Sequence, residues 1–378
     1  MGLSSRKSFH AWHRHGAHRR HDPRKTPVER NQRRGKLSGG LILWLLLVGA
    51  SWAEPLRIAA YHAELSREGP GLLLRDILKG DPQSTAAAQV IAAADPDILV
   101  LLGIDYDLDG LALTAFADRL AAFGSPYPYR FSLRPNTGWA TGLDLDGDGR
   151  LGGPGDAQGF GRFAGEGGMA VLSRLPIDTA LARDFSAMLW RDLPGAQLPD
   201  GMTVETKAVQ RLSSTAHWEV PVTLPDGQSL RLLAWHGAPP VFDGPEDRNG
   251  RRNTDETAFW LRLLEGTLPF PPPEQPFVIL GDANLDTTRD EGRPDALRAL
   301  LANPALQDPR PSGSQGLATV DFTARDGPGL IRVDYVLPSA KLRVADAGVL
   351  WPGPDDPFAA TVAAASRHRL VWVDLDLP

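Results

Sequence analysis

Residues suited to acid–base and phosphate chemistry follow an apolar stretch late in the chain. Asp282 and Asn284 lie in the sequence Gly-Asp-Ala-Asn, directly after the apolar residues 277–280. Side chains two residues apart at the end of a strand point to the same side. A carboxylate there can accept a proton from water, while an amide orients the water or a phosphate. By itself this motif is more typical of a turn than of a site.

Three histidines and a second aspartate extend the set. The candidates are His62, His236, Asp334 and His368, each inside or beside an apolar stretch of strand length. Polar residues at the ends of several strands are how a rigid sheet assembles an active site. The sequence therefore predicts one site that is built from distant parts of the chain.

The elements that must position these residues are strands and helices without strict alternation. Predicted strands cover residues 56–62, 97–102, 169–172, 211–222, 230–235, 277–280, 330–337 and 368–375, and predicted helices cover residues 71–78, 84–94, 111–123, 257–264 and 295–301. This mixture favours a layered α/β sandwich over a doubly wound parallel sheet. We find no repeat or linker, and we therefore predict one domain over residues 54–378.

The first 53 residues differ from the rest of the chain. They contain 11 Lys or Arg and two acidic residues, and they end with the uncharged run 41–48 and small residues up to Ala53. A basic segment, a short apolar run and small residues at a cleavage point are typical of a secretory signal peptide. We expect export to the periplasm or the extracellular space after cleavage near Ala53, with no stable membrane span in the mature chain. The alternative is a membrane anchor that is never cleaved.

The charge of the remaining chain bears on its partners. Residues 54–378 contain 44 acidic and 29 basic residues, which gives a formal net charge of −15. Binding to a nucleic-acid backbone depends largely on Lys and Arg, so this charge disfavours nucleic acid as a substrate. The chain has no cysteine, and its length is sufficient to bury a core without disulfides.

Taken in chain order, these features resemble the endonuclease/exonuclease/phosphatase family, which includes deoxyribonuclease I, sphingomyelinases and inositol-phosphate phosphatases. The resemblance covers residues 56–375 and is carried by the opening strand, Pro96-Asp97, residues 168–174, His236, residues 281–284, Asp334-Tyr335 and residues 366–369. It implies a four-layer α/β/β/α sandwich with two packed mixed β-sheets. It also implies metal-dependent hydrolysis of a phosphodiester or phosphomonoester.

The resemblance assigns a role to each matching residue. Asp282 matches the aspartate that activates the attacking water, and Asn284 matches the asparagine that orients it. His236 and His368 match the histidines that stabilise the phosphoryl oxygens as charge develops. Asp334 is placed beside the site, where it could orient one of the substrate-binding groups.

Three positions depart from the family's usual residues. The usual asparagine on the first strand is His62, the usual metal-binding glutamate is Gly103, and the usual aspartate before the last histidine is Arg367. Mg²⁺ needs oxygen ligands, and the two-residue period of a strand offers Glu64 and Asp105 as replacements. His62 could bind Zn²⁺ or Mn²⁺, and Arg367 could hold a phosphate with two hydrogen bonds.

Two outcomes remain open for this altered site. Either a divalent metal, Mg²⁺ or Mn²⁺ in the first place and otherwise Zn²⁺, is held by a rebuilt set of ligands, or the chemistry has been lost. In the second case the chain is a calcium-binding or ligand-binding protein that keeps the fold.

A second group of carboxylates lies apart from this set. Asp144, Asp146 and Asp148, with glycine at the sixth position, match the first half of an EF-hand calcium loop. The glutamate expected at position 12 is replaced by Gly155, and Asp156 follows it. We expect Ca²⁺ to bind this loop; the alternative is a solvated turn.

Residues 243–252 form a polar stretch after His236. The sequence predicts a loop there, with Arg248, Arg251 and Arg252 available for an anionic group or simply solvated.

Overall fold

The computed structural model describes residues 55–289, 291–324 and 327–377, which fall in one compact unit. The predicted signal peptide lies outside the described residues. The strands are β1 (Leu56–Leu65), β2 (Ile98–Ile104), β3 (Tyr129–Phe131), β4 (Gly168–Ser173), β5 (Arg183–Asp184), β6 (Ala216–Thr223), β7 (Ser229–His236), β8 (Phe277–Asp282), β9 (Val320–Phe322), β10 (Gly329–Ile331), β11 (Asp334–Pro338), β12 (Arg343–Val349) and β13 (Val371–Asp376). The α-helices are α1 (Leu72–Lys79), α2 (Pro82–Ala94), α3 (Leu111–Ala122), α4 (Val204–Val209), α5 (Arg248–Leu264), α6 (Asp295–Leu301) and α7 (Ala359–Ala365).

Two mixed sheets form the centre of the fold. The first has six strands in the order β12-β13-β1-β2-β4-β3, of which β1 and β2 pair in parallel. The second has five strands in the order β11-β8-β7-β6-β5, of which β7 and β8 pair in parallel. Strands β9 and β10 make a separate two-stranded ribbon. The predicted α/β architecture with two packed mixed sheets is confirmed.

Apolar side chains fill three layers of core. The inner faces of the two sheets meet in one cluster that includes Ile58, Val100 and Trp218. Side chains of α1, α2 and α3 pack with the outer face of the first sheet, and those of α5 and α6 pack with the second. Because β2 is covered on both faces, all seven of its residues are buried, which explains its continuous apolar sequence.

The structure differs from the sequence-based elements where polar residues are buried or apolar residues are few. Helix α5 begins at Arg248, nine residues before the predicted start, so the polar stretch 248–252 is helix rather than loop. The predicted strand at 211–222 begins only at Ala216. The edge strand β12 was not predicted, because Arg343 and Asp346 are exposed and break the apolar alternation. The short elements β3, β5, β9, α4 and α7 were also missed.

Over the residues that the structure describes, no helix combines the length and the apolar character that crossing a membrane requires.

Candidate active site

Strand register places three of the predicted site residues in one row across the second sheet. Asp282 on β8 is paired with His236 on the parallel strand β7 and with Asp334 on the antiparallel strand β11. Neighbouring strands lie about 4.8 Å apart, so polar side chains in one row are held within reach of one another. His62 on β1 and His368, just before β13, approach the row from the first sheet.

Asp282 is the centre of this arrangement. Its Oδ2 accepts a hydrogen bond from Nδ1 of His62 at 2.9 Å, and it lies 3.6 Å from Nε2 of His236 and 4.0 Å from Nδ1 of His368. Its Oδ1 accepts the backbone N–H of Asn284 at 2.7 Å. Burial alone would raise the pKa of Asp282, but the hydrogen bond from His62 and the positive charge of nearby histidines lower it to about 2. Asp282 is therefore ionised at neutral pH although its side chain is fully buried.

Asp334 and His368 form a second buried pair. Nδ1 of His368 donates to Oδ2 of Asp334 at 3.0 Å. Burial alone would lower the pKa of His368, but the carboxylates of Asp334 and Asp282 raise it to about 9. The edge of the Phe322 ring packs on the imidazole, with centroids 5.6 Å apart. His368 is thus a cation at neutral pH, held in place by the carboxylate of Asp334.

His236 and His62 lie on the more open side of the cluster. Their side chains are 13% and 16% exposed, whereas that of His368 is 2% exposed. Burial lowers the pKa of His236 to about 3, so this imidazole is neutral. The ring of His62 lies 4.8 Å from that of His236 and 4.3 Å from that of His368. The three imidazoles therefore lie around Asp282 in edge-on and tilted contacts, and His62 and His236 are the partly exposed members of the cluster.

Asn284 shapes the backbone beside Asp282. Its φ of 50° is in the left-handed region that asparagine tolerates better than most residues. Its Nδ2 donates to the carbonyl of Gly237 at 2.9 Å. Asn284 thus ties the loop after β8 to the loop after β7. We name His236, Asp282, Asn284, Asp334 and His368 the retained cluster, because the sequence resemblance places these five residues at or beside the family's site.

The three positions at which the sequence predicts a departure from the family, His62, Gly103 and Arg367, lie together at one edge with Glu64. We name these four residues the substituted edge. Both strands are irregular there. The register between β1 and β2 shifts between His62 and Leu65, and Glu64 has a φ of 50°. Gly103 has a φ of 71°, and a Cβ atom at that position would lie 2.5 Å from Cδ2 and Nε2 of His62. The imidazole of His62 therefore occupies the space that any side chain at position 103 would need.

Glu64 and Arg367 are paired with each other. Nε of Arg367 donates to Oε1 of Glu64 at 2.8 Å, a terminal guanidinium nitrogen contacts the same oxygen, and the backbone N–H of Arg367 donates to Oε2 at 2.8 Å. The hydroxyl of Ser366 also donates to Oε2, at 3.1 Å. Burial alone would raise the pKa of Glu64, but the contacts from Arg367 lower it to about 2. Glu64 is thus ionised and neutralised by Arg367, and the predicted two-point grip of Arg367 on a phosphate would require this pair to open.

Asp105 is also engaged away from the cluster. Its carboxylate accepts the backbone N–H of Arg67 at 2.9 Å and that of Gly167 at 3.0 Å. Burial raises its pKa to about 6. The structure brings neither Asp105 nor Glu64 to Asp282, because the irregular backbone of β1 and β2 breaks the two-residue period on which their prediction rested.

The donor groups decide which cation fits. The sequence resemblance predicts that His62, Gly103 and Arg367 replace the family's usual residues at the substituted edge, and the structure shows that the carboxylate of Glu64 is already neutralised by Arg367. A hard cation such as Mg²⁺ requires several oxygen ligands, and this edge does not offer them. Residue groups that could hold a metal ion do occur among the described residues: His62 with His236 and Asp282, Asp334 with His368 and Asp282, and Asp144 with Asp146 and Asp156.

Helix α5 supports the site with a buried polar face that the sequence did not reveal. Nδ2 of Asn253 donates to the carbonyls of Ala238 and Ala283, both at 2.7 Å. The carboxylate of Glu256 accepts the backbone N–H groups of Ser214 and Ala238. The first half of α5 therefore holds the loops that follow β7 and β8. Polar residues within a helical stretch were the available signal.

Arg252 has a structural role in the same helix. It is 6% exposed, and its guanidinium donates to four backbone carbonyls, those of Gln158, Arg211, Leu212 and Ser213. Arg248 donates to the carbonyl of Leu145 at 3.1 Å and to the side chain of Gln210 at 2.6 Å. Arg252 is therefore not available for an anionic group, because its nitrogens already serve the backbone.

The acidic loop lies outside the cluster around Asp282. Oxygen atoms of Asp144, Asp146 and Asp156 lie within 4.8 Å of one another, whereas Asp148 accepts the backbone N–H of Arg150 at 2.8 Å. Asp156 is 1% exposed. A Cβ atom at Gly155 would lie 2.2 Å from Oδ2 of Asp146, so a glutamate at that position would require the exposed side chain of Asp146 to move. Asp156 takes a place in the group that the sequence assigned to Asp148.

Comparisons with known proteins bear on the family and the fold. The family model described as "Endonuclease/Exonuclease/phosphatase family" matches residues 66–368. An endonuclease/exonuclease/phosphatase structure from Beutenbergia cavernae is 20% identical with a TM-score of 0.52, and the match covers 86% of this chain and 72% of that one.

Two further solved structures are more distant. Mannosyl-6-phosphatase from Bacteroides thetaiotaomicron is 16% identical with a TM-score of 0.49, and the match covers 85% of this chain and all of that one. Sphingomyelinase C from Streptomyces griseocarneus is 16% identical with a TM-score of 0.46, with coverage of 85% and 99%. No curated protein matches the sequence. At these identities the structural matches show the fold alone.

Proposed function

Because the chain belongs to the endonuclease/exonuclease/phosphatase family, which acts on phosphate esters and typically depends on divalent metals, we propose that it is an exported phosphate-ester hydrolase with an altered metal site. The observation that carries this proposal is the convergence of His236, Asp334 and His368 on Asp282. Two buried carboxylates and a buried imidazolium at the ends of separate strands contribute nothing to an apolar core. Such groups are typical of functional sites.

His368 stabilises negative charge on the phosphoryl group in the proposed reaction. Asp334 holds its Nδ1, which leaves Nε2 for a phosphoryl oxygen. The neutral His236 contributes a hydrogen bond on the more open side. Donors that are already oriented cost no reorganisation when charge develops, and they are strongest in a water-poor site.

Asp282 and Asn284 serve the attacking water in this proposal. The family role of Asp282 is that of a base, and its low pKa keeps it unprotonated. Both of its oxygens are engaged by His62 and Asn284, so this role requires the contact with His62 to loosen. A divalent metal in the site would act as a Lewis acid toward the phosphate and lower the pKa of water.

The preferred substrate is a small phosphodiester or phosphomonoester. The formal net charge of −15 over residues 54–378 makes a nucleic-acid backbone a poor partner.

One observation favours a second function, a ligand-binding protein that keeps the fold without catalysis. Glu64, the carboxylate nearest in sequence to His62, is neutralised by Arg367. A site in which this carboxylate forms an internal ion pair, instead of binding a metal, no longer has the arrangement that metal-dependent hydrolysis needs.

The decisive assay compares turnover of phosphodiester and phosphomonoester panels by chelator-treated protein before and after addition of Mg²⁺, Mn²⁺, Zn²⁺ or Ca²⁺. Turnover that disappears on chelation and returns with one metal supports the hydrolase. Asp282→Asn, prepared identically, excludes a contaminating phosphatase. Absence of turnover with every metal and every ester would favour the ligand-binding alternative.

Calcium binding at the acidic loop is a separate part of the proposal. The convergence of Asp144, Asp146 and Asp156 supports it. Added Ca²⁺ should raise the melting temperature, and Asp146→Ala should abolish the rise, whereas Asp148→Ala should leave most of it. A melting curve that does not respond to millimolar Ca²⁺ would reduce the loop to a solvated turn.

Export rests on the sequence of residues 1–53. Mass spectrometry of protein recovered from the producing cell should give a mature N-terminus at or near Glu54. Recovery of an intact, membrane-embedded stretch 41–48 would support the uncleaved anchor.

A further inference from the structure

Three donor atoms from three strands converge at the open side of the site. One ring nitrogen of His62, one of His236 and an oxygen of Asp282 lie within 4.8 Å of one another. Oδ2 of Asp282 is 2.9 Å from Nδ1 of His62 and 3.6 Å from Nε2 of His236. Ligands of a tetrahedral zinc ion, at bond lengths of about 2.0–2.1 Å, are about 3.3 Å apart. The two measured separations lie on either side of that value.

The chemistry of these donors selects the metal. Imidazole nitrogen suits Zn²⁺ and other transition metals, whereas Mg²⁺ and Ca²⁺ take oxygen ligands. Three protein ligands with a fourth position free are the pattern of catalytic rather than structural zinc. The partial exposure of His62 and His236 places that free position on the side from which substrate arrives.

The surroundings hold the donors in place. The ring of His62 lies over Gly103, where no side chain fits beside it, and it is flanked by the rings of His236 and His368. The backbone N–H of Asn284 holds the other oxygen of Asp282. Contacts of this kind around the ligands fix their orientation and tune a metal site.

We propose that the chain binds one Zn²⁺ ion through His62, His236 and Asp282, in place of an oxygen-ligated cation at the substituted edge. Binding of the metal by Nδ1 of His62 requires the proton shared with Asp282 to leave that nitrogen, because the ligating atom must be unprotonated. The proton passes to solvent from an imidazolium, or to Nε2 of a neutral imidazole. His368 and Asp334 stay outside the coordination sphere as a charged pair. The proposed site rests on the proposed function and deepens it: with Zn²⁺ bound, His236 and Asp282 would act as its ligands rather than as substrate donor and base, and the metal would lower the pKa of the attacking water.

Direct binding measurements test the site without reference to turnover. Calorimetry on chelator-stripped full-length protein should give one Zn²⁺ per chain at this site, and bound Co²⁺ should show the visible absorption of a nitrogen- and oxygen-ligated ion. The leader's own histidines (His10, His13, His15, His18 and His21) are replaced by alanine in every sample, so that they do not contribute.

Variants then assign the ligands. Loss of a group that only supports a metal ligand costs about 10–100-fold in affinity, so His62→Asn and His236→Asn should each cost at least 100-fold. Glu64→Gln and Asp105→Asn are the matched controls and should bind Zn²⁺ as the wild type does. Asp146→Ala removes any contribution from the acidic loop. Circular dichroism shows whether each variant folds. If one of the two histidine variants does not fold, the Zn²⁺ affinity of the other tests the assignment.

Each result supports or overturns the assignment. Stoichiometric binding that His62→Asn and His236→Asn weaken supports it. Absence of stoichiometric Zn²⁺ or Co²⁺ binding, binding indifferent to both histidine variants, or binding lost with Glu64→Gln overturns it. Turnover that survives exhaustive chelation would overturn the zinc site and leave the hydrolase standing. Zinc binding without turnover of any ester would support the zinc site and overturn the hydrolase.

Discussion

The retained cluster and the substituted edge lie side by side but use their charges in opposite ways. In the retained cluster, strand register puts Asp282 between His236 and Asp334, and the histidines face a shared carboxylate. At the substituted edge, Arg367 and Glu64 neutralise each other. The first arrangement keeps polar groups ready for a ligand, whereas the second satisfies them internally. The comparison indicates that the retained cluster is arranged to bind a ligand, whereas the side chains of the substituted edge are arranged to satisfy one another.

His62 lies on the boundary between the two regions. His62 belongs to the substituted edge, yet its side chain hydrogen-bonds to Asp282, which belongs to the retained cluster. If the comparison is sound, variants of the retained cluster should affect turnover most, and variants of the substituted edge should affect mainly stability.

The largest effect is expected for Asp282→Asn. The change removes the charge that orders three imidazoles, and loss of a general base typically costs about 10²–10⁴-fold in rate. We expect kcat/KM to fall by that order while the circular dichroism spectrum is unchanged. Asp308→Asn is the matched control, because Asp308 pairs with Arg332 outside the site; it should lower stability and leave turnover intact. Equal losses of turnover in both variants would contradict a special role for Asp282.

A somewhat smaller loss is expected for His368→Gln. Removal of one group that stabilises transition-state charge costs about 10²–10³-fold, and glutamine keeps a hydrogen-bond donor without the charge. The measurement is kcat and KM at saturating metal, and the fall should be in kcat. His217→Gln is the control, since His217 is equally buried but bonds Ser213 and the carbonyl of Glu256. A change confined to KM would show that His368 only binds the substrate.

Gly103→Glu should destabilise the protein rather than restore the family's usual metal site. Its Cβ atom would overlap His62, and the positive φ of Gly103 adds strain; strain of this kind costs about 1–3 kcal/mol. Combining it with His62→Asn removes the overlap. We therefore expect a favourable coupling within the range of about 0.5–3 kcal/mol found for residues in contact. Urea unfolding of both single variants and the double variant measures it, and additive effects would show that the two positions are independent.

The smallest effect concerns pH and Asp105. Because burial raises its pKa from 3.8 to about 6, this group contributes stability that is fully present below pH 3.8 and lost as the pH rises through about 6. The stability of Asp105→Asn relative to the wild type should therefore increase between pH 4 and pH 7. Unfolding free energies at several pH values, with and without divalent metal, measure this. A metal-dependent reversal of the trend would instead make Asp105 a metal ligand.

The sequence predicted the fold, and the residues that it selected for the retained cluster do lie close together, because both predictions depend on short-range signals. Apolar runs such as residues 277–280 identify a buried strand, and a polar residue at the strand end follows directly. The order of these motifs along the chain then predicts that His236, Asp282 and His368 lie close together, although no contact between them can be read from the sequence.

The sequence failed where a local period is interrupted or a contact spans the chain. The roles of Glu64 and Asp105 were inferred from strand alternation, but the left-handed backbone at Glu64 and at Gly103 interrupts it. The partner of Glu64 is 303 residues away in the chain. Helix α5 was predicted to start late because its buried face is polar, and only the loops that it holds explain that composition.

The mutual exclusion between His62 and any side chain at position 103 has a historical consequence. If an ancestor carried asparagine and glutamate at these positions, as the family usually does, a histidine could not enter first, because its ring would meet the glutamate. Glycine at position 103 had to come before histidine at position 62. Once both were in place, return to glutamate alone was blocked by the same overlap. The two substitutions are therefore ordered rather than irreversible: a return to the usual pair must begin at position 62, because only the loss of the histidine ring gives a glutamate at position 103 the space that it needs.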